Sequence, residues 1–431
     1  MAALAWTVPA HAGGKWLEIG YNSGHAGYNK TEKTITAQTV ANLAQNQMFS
    51  AQANVPHQPV VSKGIVYVRS NQGYLTAYNV ATGAQVWQIP LQAMGSWGVT
   101  DVNSIAVSGN ILVTGCFLTP QYTGLCAFNA KTGTALWTFG FQSGAINSPP
   151  TIAGRTVYAN LGGIEPNNNG DYSGNMTALD LKTGAERWAD YYCDGYPTCA
   201  SFGDTAPAVD NGMVYFGCSG STTYPVFNVH GICGVDASSG AYVWGVNIGG
   251  AYGHYDATGL LVTQGGNIYL EYNTNPCYNC AYSLDVAAFT EATGSVIWDT
   301  PISTQPSGCC ITFGGEPMVG PDGSVYANIG VYNQQANPNL FALNAHGDIL
   351  WSQSTPNALV DSGTLVGKSD KQVLLFSCEV GQAGTCAYSA ATGALLWASG
   401  DNHVVNFAPI ATGGAVYNAC VDNDICSYTL K

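Results

Sequence analysis

One segment recurs along the chain: Tyr74-Leu-Thr-Ala-Tyr-Asn-Val-Ala-Thr-Gly-Ala-Gln-Val-Trp87. The next copies are Gly124-Leu-Cys-Ala-Phe-Asn-Ala-Lys-Thr-Gly-Thr-Ala-Leu-Trp137 and Met176-Thr-Ala-Leu-Asp-Leu-Lys-Thr-Gly-Ala-Glu-Arg-Trp188. Four more copies end at Trp244, Trp298, Trp351 and Trp397, so consecutive Trp residues lie 46–56 positions apart. A period of about 50 residues built from short alternating strands is typical of β-propeller blades.

Each copy predicts four antiparallel strands. In the first copy the inner strand is Gln58-Pro59-Val60-Val61, and the second strand is Ile65-Val-Tyr-Val68. The third strand is Leu75-Thr-Ala-Tyr78, and a Thr82-Gly83 turn joins it to the fourth strand, which carries the Trp. Glycine supplies the positive φ angle that this turn needs. We expect each repeated Trp to pack between neighbouring blades.

The number of copies predicts an all-β fold, one eight-bladed β-propeller of four-stranded antiparallel blades. Seven copies are complete, and an eighth begins at Ala408-Pro409-Ile410 and stops after Cys426-Ser-Tyr428 without a fourth strand. Residues 40–54 have the pattern of an outer strand without a blade of its own, with Met48-Phe49 in place of the Trp. Joining this N-terminal strand to the C-terminal blade closes the ring and removes exposed strand edges. Residues 13–431 are therefore assigned to a single propeller domain.

This repeat resembles that of the pyrroloquinoline-quinone-like β-propeller superfamily, also called quinoprotein-like. The matching phrase is Ala-(Tyr/Phe/Leu)-(Asn/Asp)-x-x-Thr-Gly-x-x-x-Trp, which most copies contain. The resemblance covers nearly all of the chain from about residue 14. It implies the propeller fold but not one activity, because the superfamily contains dehydrogenases, assembly scaffolds and hydrolases.

The cysteines indicate disulfides in an oxidising compartment. The chain has 14 of them, and such a number is typical of periplasmic or secreted proteins. Residues 1–12 are interpreted as a remnant of a signal peptide, because Ala10-His11-Ala12 matches a cleavage pattern. Four pairs fall at the end of a second strand and the start of the third, where antiparallel neighbours bring Cβ atoms together: Cys116/Cys126, Cys218/Cys233, Cys378/Cys386 and Cys420/Cys426.

The remaining cysteines lie in loops. Cys193/Cys199 and Cys277/Cys280 are predicted to close short loops. Cys309 and Cys310 are adjacent in the loop before the sixth inner strand. The superfamily's quinone dehydrogenases place such an adjacent pair against the cofactor ring, so a functional role and a purely structural one both stay open.

The charge of the chain excludes several classes of function. Only 12 of the 431 residues are Lys or Arg against 26 Asp or Glu, and the net charge is −14. No basic cluster is present to neutralise nucleic-acid phosphates, and no apolar run of roughly 18 residues predicts a membrane span. So few cations limit self-repulsion at low pH, which predicts adaptation to acid outside the cytoplasm. A generic secreted protein rich in Asn and Gly is the alternative.

The candidate site is the mouth of the central channel, the end at which the inner strands begin. Loops converge there in a propeller, so its polar residues are the first candidates. The predicted catalytic carboxylates precede or begin inner strands: Asp204, Asp256, Glu316 and Asp361. The predicted substrate-binding residues are His57, His254, Asn103, Cys309 and Cys310. No metal-binding motif is recognised, and no Lys or Arg is predicted at the start of an inner strand.

Three functions are compatible with this pattern. The chain resembles the tetrathionate hydrolases of sulfur-oxidising acidophiles, which implies an extracytoplasmic hydrolase without bound quinone that acts on a small anion. A dehydrogenase dependent on pyrroloquinoline quinone and calcium is the second function; Cys309-Cys310 favours it, and the scarcity of cations opposes it, since the quinone carries three carboxylates. A non-enzymatic scaffold of the outer-membrane assembly type is the third. A homodimer is left open.

The small number of cations leads to a prediction about stability. With only 12 Lys and Arg residues, few native carboxylates can be held in ion pairs, so protonation should remove little stabilisation. We expect thermal unfolding midpoints at pH 3 and pH 7 to be similar. A midpoint lower at pH 3 by more than roughly 15 °C, equivalent to several kcal/mol, would contradict adaptation to acid.

Overall fold

The computed structural model describes most of the chain. The described residues are 14–50, 58–70, 73–91, 104–119, 122–140, 144–146, 148–163, 173–190, 206–219, 230–248, 261–274, 282–305, 312–314, 316–331, 338–355, 359–378, 384–400, 407–420 and 424–431. Within them the strands form eight antiparallel sheets, which are the eight blades. The prediction of an eight-bladed propeller is confirmed.

The first four blades follow one another along the chain. Blade one contains β2 (Val60–Ser62), β3 (Ile65–Arg69), β4 (Tyr74–Asn79) and β5 (Gln85–Pro90). Blade two contains β6 (Ile105–Ser108), β7 (Ile111–Thr119), β8 (Tyr122–Asn129) and β9 (Ala135–Gly140). Blade three contains β10 (Gly144–Ile146), β11 (Thr151–Ala153), β12 (Thr156–Gly163), β13 (Ser173–Asp180) and β14 (Glu186–Asp190). Blade four contains β15 (Ala208–Asp210), β16 (Met213–Ser219), β17 (His230–Asp236) and β18 (Tyr242–Asn247).

The last four blades complete the ring. Blade five contains β19 (Val262–Gln264), β20 (Asn267–Thr274), β21 (Tyr282–Thr290) and β22 (Val296–Gln305). Blade six contains β23 (Thr312–Gly314), β24 (Met318–Val319), β25 (Val325–Val331), β26 (Leu340–Leu343) and β27 (Ile349–Gln353). Blade seven contains β28 (Leu359–Val366), β29 (Val373–Cys378), β30 (Gly384–Ser389) and β31 (Leu395–Ala398). Blade eight contains β32 (Ile410–Thr412), β33 (Ala415–Ala419), β34 (Ile425–Leu430) and β1 (Leu43–Phe49).

The two ends of the chain share blade eight. Strand β1 pairs antiparallel with β34, with Leu43 opposite Leu430 and Phe49 opposite Ile425. The N-terminal strand is therefore the outer strand of the C-terminal blade, as the repeat pattern predicts. Phe49 is buried against Tyr417 and Tyr78, but the register places Gln47 opposite Ser427, at the position of the repeated Trp. The side-chain amide of Gln47 donates a 2.9 Å hydrogen bond to the carbonyl oxygen of Ala81 in the turn of blade one. The prediction that Met48-Phe49 replaces the Trp is therefore wrong, because Gln47 occupies that place.

The repeated Trp side chains join each blade to the next. Each indole N–H donates a hydrogen bond of 2.9–3.1 Å to a carbonyl oxygen in the next blade's turn between its third and fourth strands. The pairs are Trp87 with Ala130, Trp137 with Leu181, Trp188 with Ala237, Trp244 with Glu291, Trp298 with Ala345 and Trp351 with Ala390. The interblade position predicted for these Trp residues is confirmed.

The turn glycine contacts the same indole. Gly184 has a φ of +70° and lies so close to Trp137 that a Cβ atom would meet the ring at 2.6 Å. Equivalent positions are occupied by Gly133, Gly294, Gly347 and Gly393. Glycine is therefore required at this turn by both the backbone conformation and the contact with the Trp of the preceding blade.

Four predicted disulfides are present. Cys116–Cys126, Cys218–Cys233, Cys378–Cys386 and Cys420–Cys426 have Cα–Cα distances of 5.7–6.0 Å. Each joins the second and third strands of one blade, as expected for antiparallel neighbours. Cys193, Cys199, Cys277 and Cys280 lie outside the described residues, so their pairing stays a prediction.

Helical structure within the described residues comprises 3₁₀ turns such as Val40–Asn42 and Ser369–Lys371. In the described part of the chain, we find no helix with the length and apolar character needed to cross a membrane. The hydrophobic core lies between the blades. Val60 and Tyr67 of blade one, for example, share a buried cluster with Ile105 and Leu112 of blade two.

The double role of the turn glycine can be tested with a matched pair of variants. Gly184→Ala places a methyl group against Trp137, whereas Gly154 has a φ of +61° and a Cβ atom there would meet nothing within 4 Å. Gly154→Ala should lose about 1–2 kcal/mol of unfolding free energy through backbone strain alone. Gly184→Ala should lose a further 1–3 kcal/mol, roughly, because the indole must move. Chemical denaturation of both variants measures the difference, and equal losses would show that the contact with the indole is unimportant.

Candidate functional site

Most of the predicted mouth residues lie outside the described part of the chain. This holds for Asp204, Asp256, His57, His254, Asn103, Cys309 and Cys310. Their roles stay predictions. The side chain of Glu316 is half-buried, whereas for Asp361 the structure describes the backbone alone.

The structure brings the segments of Glu316 and Asp361 together. Glu316 lies two residues before β24, and its backbone N–H donates a 3.1 Å hydrogen bond to Oγ of Ser362. Asp361 directly precedes that serine in β28, at a point where the pairing with β29 shifts register between Val360 and Thr364. Irregularities of this kind redirect side chains near active sites. Two of the four predicted carboxylates therefore belong to adjoining strand starts in blades six and seven.

The N-terminal segment binds the inner strands at the end of the channel away from the mouth. Residues 16–29, here called the plug, contact the inner strand of every blade. Seven inner strands each donate one backbone N–H to the plug at 2.6–3.0 Å. The donors are Val61, Val107, Ile152, Val209, Thr263, Val319 and Leu365, and the acceptors are Trp16, Leu17, Glu18, Ser23, Gly24, Ala26 and Gly27, respectively.

In blade eight the direction of this hydrogen bond is reversed. The side-chain amide of Asn29 donates to the carbonyl oxygen of Ala411 at 2.8 Å. Ala411 and the seven donors all lie at equivalent positions, close to the turn into the second strand. The plug therefore satisfies the free edges of the inner strands at the end away from the mouth.

Two buried ionisable groups of the plug face blade three. Oε2 of Glu18 accepts the 2.8 Å bond from the N–H of Ile152, and Nε2 of His25 lies 3.1 Å from Oγ1 of Thr151. Burial raises the pKa of Glu18 to about 8 and lowers that of His25 to about 3. Both groups are therefore neutral between these values, and neither adds charge to the channel in mild acid.

A buried cation lies near the mouth, between blades one and two. Arg69 ends β3, is 2% exposed, and donates through Nη1 to the carbonyl oxygen of Gly115 and to Oγ1 of Thr114. Thr114 in turn donates a 2.9 Å bond to the carbonyl oxygen of Ser104, the residue before the second inner strand. Burial lowers the pKa of Arg69 to about 10, so the guanidinium stays charged at neutral and acid pH.

Arg69 is not among the residues that the sequence predicts for the mouth, because no Lys or Arg was expected at the start of an inner strand. That expectation concerned the starts of inner strands, whereas Arg69 reaches the same end of the channel from the end of a second strand. The sequence did contain a signal for this buried cation. Arg69 ends an otherwise apolar strand, and Lys and Arg are rare in the chain, with 12 in total. The plug was also missed, because six of its eight contacts use its backbone carbonyl oxygens, which carry no sequence pattern.

The described residues offer little to a metal ion or a quinone. Among them, no group of three or more His, Cys, Asp or Glu side chains is placed to hold a metal ion. The described residues near the mouth include one buried cation, Arg69. Three quinone carboxylates would need more positive charge than this part of the chain offers.

Comparison with known proteins identifies relatives of the chain. The profile of the PQQ_2 family, described as outer membrane protein assembly factor BamB, matches residues 34–117, 71–280 and 282–431. Tetrathionate hydrolase from Acidithiobacillus ferrooxidans is 28% identical over 221 residues, which are 48% of this chain and 38% of that protein. Quinohemoprotein alcohol dehydrogenase from Comamonas testosteroni is 26% identical over 194 residues, which are 42% of this chain and 26% of that enzyme. The matches thus span less than half the length of these curated relatives.

The crystal structure of the Comamonas testosteroni dehydrogenase has a similar fold. It superposes with a TM-score of 0.71 over 96% of this chain and 80% of that chain, at 16% sequence identity. At this identity the similarity shows the shared propeller fold alone.

The plug carboxyl gives a pH-dependent prediction. The pKa of Glu18 is raised from 4.5 to about 8, so its stabilising contribution is complete below pH 4.5 and is lost as the pH rises through 8. Glu18→Gln should match the parent protein at pH 4 and be more stable by up to about 3 kcal/mol at pH 7, since one pKa unit is worth about 1.4 kcal/mol.

Urea denaturation at the two pH values measures this change. Glu186→Gln, which alters an exposed carboxylate, serves as the control and should show no comparable pH dependence. If Glu18→Gln changes stability equally at pH 4 and pH 7, the buried neutral carboxyl is not responsible.

Proposed function

The chain belongs to the PQQ_2 family, described as outer membrane protein assembly factor BamB, and from that premise we propose that it is an extracytoplasmic propeller enzyme that hydrolyses polythionates. The observation that carries this proposal is the 28% identity to a tetrathionate hydrolase over 221 residues. The disulfides support a periplasmic or secreted location. The low cation content supports work in acid.

The reaction requires a base and a site for an anion. Water attacks a terminal sulfonate sulfur of tetrathionate, the adjacent sulfur–sulfur bond breaks, and its electron pair leaves with the three-sulfur fragment as a thiolate. The products are sulfate, that fragment and two protons. A positioned carboxylate accepts the proton that the attacking water loses. Asp256 and Asp361 are the leading choices for this base, followed by Glu316 and Asp204.

The base must be ionised at low pH. A free Asp is mostly protonated at pH 3, so hydrogen bonds or a nearby cation must hold its pKa low. We assign this role to His57 and His254, because an imidazole with its ordinary pKa is cationic at pH 3 and would also attract the dianionic substrate. Asn103, Cys309 and Cys310 complete the proposed substrate-binding surface. No bound quinone takes part.

Two alternatives have specific support. The 26% identity over 194 residues to the quinohemoprotein alcohol dehydrogenase of Comamonas testosteroni favours a quinone-dependent dehydrogenase, and a quinone absorbance band in the purified protein would establish it. The small supply of cations among the described residues near the mouth disfavours that dehydrogenase. The family description favours a scaffold in outer-membrane assembly.

The carboxylate mechanism is tested by four single substitutions, Asp204→Asn, Asp256→Asn, Glu316→Gln and Asp361→Asn. At least one should lower kcat for tetrathionate at pH 3 by about 10²-fold or more, because the proton acceptor is lost. Asp370→Asn changes an exposed carboxylate away from the mouth and is the control. Circular dichroism and unfolding midpoints check that each variant is folded.

Two outcomes would contradict the proposal in different ways. Near-normal turnover by all four amide variants would refute the carboxylate mechanism. Absence of turnover in the parent protein would refute the hydrolase and leave the dehydrogenase and the scaffold.

A further inference from the structure

We propose that Arg69 and Ser104 form a binding site for an oxyanion at the interface of blades one and two. The choice of a sulfonate group of the substrate as its natural occupant rests on the proposed function. The site itself does not, because it follows from side chains whose hydrogen-bonding groups are buried and unused.

The first argument is charge. Arg69 is 2% exposed, and in the described part of the chain the only ion pair joins Arg187 to Asp180. Arg69 therefore has no carboxylate partner among the described residues. A buried charge without a counter-charge is strongly unfavourable, and an anion beside it removes that penalty.

The second argument is the geometry of the guanidinium. Nη1 is held by Thr114 and Gly115, whereas Nε and Nη2 have no hydrogen-bond partner within the described residues. Nε–H and one Nη2–H point in parallel from the same edge of the group. This edge fits two oxygens of a sulfonate, sulfate or carboxylate, which a Lys ammonium cannot match.

The third argument is a further unused donor. Oγ of Ser104 is also buried and without a partner among the described residues. Thr114 links it to the arginine, since Thr114 accepts from Arg69 and donates to the carbonyl oxygen of Ser104. An oxyanion here can accept from both Arg69 and Ser104, which satisfies buried donors that otherwise have a free-energy cost.

The position suits a substrate that enters at the mouth. Ser104 directly precedes the inner strand of blade two, so the site lies beside the channel at its open end. Blade eight separates it from blades six and seven, which carry Glu316 and Asp361. One sulfonate of a dianion can therefore bind Arg69 without lying against those carboxylates.

Binding is tested with inorganic sulfate and needs no turnover. Thermal unfolding of the full chain is followed while sodium sulfate is raised against sodium chloride at equal ionic strength. The parent protein should show a saturable rise in midpoint that is specific for sulfate. Arg69→Lys and Ser104→Ala should each weaken the apparent affinity by about tenfold, the effect of losing a charge-assisted hydrogen bond. Arg69→Gln should abolish the response.

Arg187→Gln is the control, because it removes an exposed guanidinium and should leave the sulfate response unchanged. A response in Arg69→Lys equal to that of the parent would overturn the proposal, and this holds even if Arg69→Gln does not fold. A parent protein whose midpoint does not respond to sulfate would also overturn it. Sulfate binding through Arg69 without tetrathionate turnover would uphold the site and refute the hydrolase.

Discussion

The contact between a Trp indole and the turn of the next blade is the interaction on which this fold depends. Six of the seven repeated indoles donate to a carbonyl oxygen in that turn, and the turn glycine packs against the ring, as Gly184 does against Trp137. The Trp and the turn that it contacts come from different copies of one repeat. A blade cannot therefore complete its own packing, and stability requires neighbours on both sides. Where the Trp is missing, between blades eight and one, Gln47 takes its place and donates to the carbonyl oxygen of Ala81.

The plug adds a second constraint, which gives the channel a direction. Eight inner strands present free edges to the axis, and residues 16–29 bind one position on each. Gly24 is needed for this fit, because a Cβ atom there would lie 2.6 Å from Oγ1 of Thr263. Because the plug occupies the inner strands at the end away from the mouth, the residues that begin the inner strands are the ones left free to form a site at the mouth.

The fold was predictable because its signal is periodic. The Trp recurs in seven blades, the turn glycine precedes it at a fixed spacing, and four blades carry the paired cysteines at equivalent positions, so the blade number, the ring closure and four disulfides followed from spacing. The site was less predictable for a physical reason. The plug binds mostly through backbone carbonyl oxygens, which leave no pattern in the sequence. Arg69 lies near the mouth because it ends β3, and a one-dimensional pattern does not show that Thr114 links Arg69 to Ser104.

The proposed function joins these features. Blades cross-linked by disulfides in a chain poor in cations suit an acidic exterior, and the proposed site at the mouth combines a carboxylate base with a buried cation, Arg69. The most direct test of hydrolysis is turnover of tetrathionate at pH 3 in ¹⁸O-labelled water. Hydrolysis predicts one labelled oxygen in each sulfate formed, because water supplies the new sulfur–oxygen bond. Sulfate without the label, or no sulfate at all, would contradict it.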